Sequence, residues 1–216
     1  VRAARRGRRG GPGLAWAVAA SALCAGAGAC GGATVGEGAD AGAADGGAAG
    51  GGGSAMIGGT VGGGAVAVVD VVGIASSDVE SGKTVSYAGV IVANQSGTCA
   101  TLQRDGNPPG AQALDVLVAT DGAAVAPGTY ALGPGPTNGA WTSVTYVAQD
   151  AACHKTTSEQ AQTGSITLTA VSSALVTGRF DVTFPSGDHL TGTFSAPVCA
   201  VDIGALANET PLPCGQ

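Results

Sequence analysis

Charge and aromatic rings are scarce in this chain. Only 11% of its 216 residues are charged and 4% are aromatic, with two histidines and one methionine. No Gly-x-Ser-x-Gly elbow occurs, so that signature of serine hydrolases is missing. Gly62-Gly63-Gly64 is not followed by Gly-Lys-Ser or Gly-Lys-Thr, which excludes a phosphate-cradling P-loop. Basic residues number nine, and five of them, Arg2, Arg5, Arg6, Arg8 and Arg9, lie at the start. If that segment is removed, four basic residues face fifteen acidic ones, or about −11. Such a balance argues against nucleic acid as a partner and against a basic membrane-binding face. The uncharged, largely apolar run from Leu14 to Ala29 is sixteen residues, half of them alanine. A membrane-spanning helix takes about twenty residues, so this run is too short for one.

Glycine, by contrast, is abundant: 39 residues, concentrated before about residue 65. An arginine-rich opening followed by an alanine-rich apolar run reads as a secretory signal peptide over residues 1–29. The run closes on Ala27-Gly28-Ala29-Cys30, a small-residue sequence ahead of a cysteine. Cleavage before Cys30 and acylation of its thiol would leave Cys99, Cys153, Cys199 and Cys214, an even set for disulfides. Acylation at Cys24 instead, or plain cleavage, leaves an unpaired thiol. From Cys30 to Gly64 the chain is glycine, alanine and small polar residues, a composition that cannot bury enough to fold. It is expected to act as a flexible tether.

Residues 65–216 carry ordinary globular texture. Expected strands are Ala65 to Ile74, Val85 to Ala93, Leu114 to Thr120, a short one within Pro127 to Leu132 and Trp141 to Ala148; Ser76-Ser77-Asp78 follows the first, and the turn-like Asn94-Gln95-Ser96-Gly97 ends the second. Asp150 to Gln162 has few apolar residues and reads as a loop or short helix. The clearest stretch is Thr163 to Cys199, where period-two alternation predicts a three-stranded meander with one buried and one wet face. Gly187 suits the left-handed position of a hairpin loop closed by Phe184 and Asp188. That closure sets Phe180 opposite Gly192 and Gly178 opposite Phe194, each ring covering a glycine gap. About eight strands and almost no amphipathic helix predict an all-β fold, an antiparallel β-sandwich or a small β-barrel. Four cysteines allow three connectivities; the expected pairs are Cys99 with Cys153 and Cys199 with Cys214, each closing a loop against the sheet. Disulfides place the domain outside the cytosol.

Candidates for chemistry are few. His189 with Asp181 and Asp188 could form a cation site, and Cys153-His154 half of a zinc site, but neither has metal-motif spacing. The plainer reading is a solvated turn histidine and a disulfide cysteine. Tyr87, Tyr130, Trp141 and Tyr146 could line a ligand cavity, although strand aromatics more often pack in a core. No catalytic, cofactor or metal residue is assigned.

The plan of alanine-rich signal, Ala27-Gly28-Ala29-Cys30, glycine tether and all-β domain resembles the uncharacterised myxobacterial-type secreted lipoproteins. The likeness extends to Gly164-Ser165-Ile166-Thr167-Leu168, Thr177-Gly178-Arg179-Phe180 and Leu190 to Cys199 in the C-terminal meander. It departs at Ala27, where a lipobox usually has leucine. The resemblance implies lipidation (palmitate among the acyl groups) at Cys30 and brings no activity with it. Gly31 after the cysteine resembles lipoproteins sorted to the outer membrane. The expectation is therefore an exported module of the outer membrane or cell surface, not an enzyme. It would be anchored in the bilayer through acylated Cys30 and act on an envelope or extracellular partner by binding or as a structural part. A barrel carrying a small apolar ligand is the alternative, and a hydrolase a more distant one.

Overall fold

The structure, a computed structural model, describes residues 52–80, 82–104, 106, 108–133, 135–136, 139–201 and 214–215. The expected signal segment, Cys30 and most of the expected tether lie outside the described residues. Ten strands and one short helix are seen among those described. In chain order they are β1 (Ser54–Gly59), β2 (Asp70–Glu80), β3 (Lys83–Ala93), α1 (Thr98–Leu102) and β4 (Gln112–Asp121). There follow β5 (Gly128–Ala131), β6 (Ala140–Gln149), β7 (Lys155–Gln160), β8 (Thr163–Val171), β9 (Leu175–Thr183) and β10 (His189–Pro197). They form two antiparallel five-stranded sheets, β2-β3-β4-β6-β7 and β1-β10-β9-β8-β5, in a sandwich-like all-β fold.

The core between the sheets is made by alternate residues of facing strands. Val90, Val92, Leu114, Val116, Val118 and Tyr146 come from the first sheet, and Ile166, Leu168, Phe180, Val182, Leu190 and Phe194 from the second. The meander folds as its periodicity dictates. Phe184 N–H donates to the Asp188 carbonyl, and Gly187 takes φ +88°, the left-handed conformation its turn requires. That turn fixes the register: Phe180 stands opposite Gly192 and Phe194 opposite Gly178.

Several expectations are corrected. The body begins before residue 65, because Ser54–Gly59 pairs along β10 from Ser195 to Leu190 and closes that sheet's edge. Ser54–Gly59, inside the expected 30–64 tether, is thus part of a sheet. Backbone pairing, blind to the glycine-rich composition, is what recruits β1. The expected Ala65–Ile74 strand starts only at Asp70, whose Oδ2 accepts the Thr98 N–H, and it runs on through Ser76-Ser77-Asp78. There Ser77 pairs with Ser86, and their hydroxyls meet at 2.9 Å. Lys155–Gln160 is a strand on the sheet edge, where a polar sequence is tolerated because one side stays in water.

The disulfides also differ from expectation. Cys99 is joined to Cys199 and Cys153 to Cys214, with Cα separations of 5.5 and 5.6 Å. The expected partners, Cys99 with Cys153 and Cys199 with Cys214, are therefore not bonded to each other. Beyond β10 the chain crosses to the β2 edge of the other sheet, where Gly73 bridges Val198 and its carbonyl accepts the Cys199 N–H. A Cβ at Gly73 would lie 2.7 Å from the Ala196 oxygen, so glycine permits this approach. Cys199 thereby arrives at α1, whereas Cys153 sits in the turn between β6 and β7. The two bridges interlock in sequence, 99–199 crossing 153–214.

Candidate functional site

The two sheets differ in what their outer faces carry. On the first, Val72, Ile74, Tyr87, Ile91, Ala113 and Leu117 form a second apolar cluster covered by Leu102 of α1 and by Cys199, with Cys99 and Val201 packed against it. β3 and β4 are consequently buried on both faces. On the second sheet, the residues pointing away from the core are mostly hydroxyl-bearing and open to solvent.

Register places these outward residues in rows across the strands. Met56, Thr193, Arg179, Thr167 and Thr129 form one row, from β1 to β5. Gly58, Thr191, Asp181, Ser165 and Ala131 form the next, and His189, Thr183 and Thr163 a third. Around the first two rows lies an open groove of about 730 Å³, lined among others by Met56, Thr129, Thr167, Arg179, Asp181, Thr191 and Thr193. The hydroxyls of Thr129 and Thr167 meet at 3.1 Å, and those of Thr169 and Thr177 at 2.7 Å.

Charges in the groove are distributed unevenly. His189 Nε2 lies 2.8 Å from Asp181 Oδ1, so the carboxylate is engaged across the β9–β10 pair. Arg179, two residues from Asp181 on the same face, is exposed and has no hydrogen-bond or ion-pair partner among the described residues. Its guanidinium faces water with flanking threonines on either side. What this arrangement can do is hold an anionic group with a planar, multi-donor cation and support it with neutral donors and acceptors.

The residues singled out from sequence are scattered. His154 sits in the β6–β7 turn, 3.4 Å from Asp150, and both are exposed. Cys153 beside it is consumed by its disulfide to Cys214. His189 joins Asp181 but not Asp188, whose carboxylate instead accepts from Thr60 and Ser186. No group of three or more His, Cys, Asp or Glu side chains converges among the described residues. Among the described residues neither histidine contacts a serine hydroxyl: Ser186, in the β9–β10 turn, donates to Glu159 and Asp188. Tyr146 belongs to the inter-sheet core, Tyr87 to the outer cluster, and Trp141 and Tyr130 are half-buried, so the four rings do not share a cavity. Tyr130 donates its hydroxyl to the Ala126 carbonyl at 2.6 Å.

One unusual group escaped the sequence reading. Asp115, on the outer face of β4, is buried between Ile91 and Thr145, and burial pushes its pKa up to about 8. Its Oδ1 has no hydrogen-bond partner. The available signal was its place between Ala113 and Leu117, both apolar and on the same face of the strand. Arg179 was also unremarked; its signal is that it alone among the basic residues stands on the wet face of the meander.

No helix among the described residues is long and apolar enough to cross a membrane. No protein-family model matches the chain, and no curated protein or solved structure is significantly similar to it.

Proposed function

We propose that the chain is an exported envelope module, anchored in the bilayer through acylated Cys30, that binds a polar ligand on the outward face of β1-β10-β9-β8-β5. The observation that carries this reading is the contrast between the sheets. One outer face is packed under α1 and the Cys99–Cys199 bridge, while the other presents a groove of hydroxyls and an unpaired Arg179 that the fold does not need. Two disulfides support export, because such bonds form and persist in oxidising compartments. The run from Leu14 to Cys30 supplies a signal and a lipid-acceptor cysteine, and a glycine-rich stretch follows it. A lipid chain with flexible spacing leaves the face free to meet its ligand. Among the described residues no constellation points to catalysis, and the four rings do not share a pocket for an apolar cargo.

The test uses the Cys30→Ser form, which removes the lipid and with it any membrane attachment that is not recognition. Binding of this form to isolated cell envelopes should fall when Thr167 and Thr193 are both changed to valine, which deletes the hydroxyls and keeps shape and strand preference. Equal binding by the unaltered and the valine forms, with equal melting temperatures, would refute the assignment of this face.

A further inference from the structure

We infer that the groove recognises an acidic polysaccharide through isolated carboxylates, with Arg179 holding the carboxylate and the neighbouring threonines holding sugar hydroxyls. The inference rests on the reading of this face as the ligand surface and names the ligand's chemical class.

Arg179 determines the charge of the ligand. A guanidinium presents its donors in a planar fork that matches a carboxylate in bidentate fashion. Asp181, the nearest carboxylate on the same strand face, does not compete for it, because His189 holds Asp181 at 2.8 Å. Lys83 on the other sheet is by contrast already beside Asp121, at 3.8 Å. Arg179 is thus a cation with its donors unspent, in the middle of a groove.

The surroundings determine the rest of the ligand. Thr167 and Thr193 stand directly across from Arg179 on the two neighbouring strands, and Thr129 continues the row. Each threonine hydroxyl both donates and accepts, as sugar hydroxyls do, and its methyl group offers apolar contact to a C–H face. Met56, 76% exposed, closes the row on the β1 side with a flexible apolar surface. Five strands at roughly 4.8 Å spacing give a row on the order of 20 Å across, room for several sugar units.

Two alternatives fit less well. A neutral polysaccharide would have no exposed aromatic platform, since Tyr130 packs against the core and Phe180, the ring that lines the groove, is only 3% exposed. Neutral hydrogen bonds that replace bonds to water are worth little net, so the charge-assisted pair must supply the selectivity. A dense polyanion would be repelled by a body that carries about fifteen acidic residues against four basic ones once the signal is gone. Carboxylates separated by neutral sugars satisfy both limits. One such contact per module is weak, and many tethered copies on one surface would bind a long polymer by avidity.

Pectins of defined esterification provide the probes, titrated into the Cys30→Ser form immobilised at high density. Partly methyl-esterified pectin, with spaced free carboxylates, should bind best; fully esterified pectin should bind roughly ten- to a hundredfold more weakly, the value of one charge-assisted contact. Arg179→Gln should erase that difference without moving the melting temperature, and Arg179→Lys should restore only part of it. Raising the salt from 50 to 500 mM should weaken binding of the partly esterified probe only. Equal binding of the free and esterified polymers, or an unaffected Arg179→Gln variant, overturns carboxylate recognition. In either case the double valine variant at Thr167 and Thr193 separates the two claims. If that variant still loses binding to whole envelopes, the face remains the ligand surface and only the ligand class is wrong. If it does not, both claims fall together.

Discussion

The ring of Phe180 lies over Gly192 on the neighbouring strand, so close that a Cβ at Gly192 would stand 2.5 Å from Cζ. Phe194 covers Gly178 in the same way, its Cζ 2.7 Å from a Cβ built there. Both rings are buried in the inter-sheet core, and each glycine leaves the space its partner ring fills. Gly192→Val must displace the Phe180 ring as well as press on the Met56 carbonyl, 3.1 Å from the new Cβ. We expect it to lower stability by about 1–3 kcal/mol, the usual range for overpacking a tight core. Urea unfolding checks this; a variant with an unchanged midpoint would mean that the rings do not occupy these gaps.

The interlocked disulfides make a second prediction. Each closes a long stretch of chain, with sequence separations of 100 and 61. Replacing either pair by serines should lower stability by about 4–5 kcal/mol on chain-entropy grounds. The two losses should not add, because the closed stretches overlap. Peptide mapping without reduction should yield the Cys99–Cys199 and Cys153–Cys214 linkages; a Cys99–Cys153 peptide would contradict the fold around α1.

Asp115 predicts a pH dependence of stability. Burial keeps its carboxyl protonated in the native state up to about pH 8, whereas the unfolded chain gives up that proton near pH 4. Between those values the native state binds more protons than the unfolded one, so stability falls as pH rises, by roughly 1.4 kcal/mol per unit from this group. Asp115→Asn should flatten the slope and make the protein more stable than the parent near pH 8. Melts at pH 5 and pH 8 test it, and a parent protein equally stable at both would exclude a buried neutral Asp115.

Asp188 acts in the opposite sense. Hydrogen bonds from the Thr60 side chain first, and then from Ser186 and the Gly62 and Gly63 amides, hold its pKa below the usual carboxylate range. Its contribution is therefore present at neutral pH and is lost as pH falls through that lowered value. Since these bonds tie the segment after β1 to the β9–β10 hairpin, Asp188→Ala should speed hydrogen exchange in Met56–Gly59 at pH 7. The difference from the parent should shrink in acid. Equal exchange at neutral pH would show that the clasp does not hold β1.

How much of this was legible in the sequence follows from how local each determinant is. The β9–β10 register was readable because a three-residue turn with Gly187 sets it, and nothing distant intervenes. β1 and β7 were not, since Ser54–Gly59 and Lys155–Gln160 lack apolar alternation and become strands only by pairing with β10 and β6. The burial of both faces of the first sheet left a trace in the unbroken run Val90-Ile91-Val92-Ala93, the pattern of a strand covered on both sides. The disulfide partners depended on the crossing after β10, which brings Cys199 to α1 past residues near in sequence. In the groove, the alternation of threonines was plain, but the availability of Arg179 was not. It depends on His189 engaging Asp181 from the next strand, a pairing visible only once the register is in place.

The lipid anchor underlies the proposed function, and mass spectrometry of the mature N-terminus tests it most directly, on protein taken from its own membranes and on the Cys30→Ser form. The account predicts a chain beginning at Cys30 and carrying diacylglyceryl or three acyl groups, with the modification and membrane association both lost in the variant. An unmodified N-terminus, with the parent protein free in the medium, would contradict it.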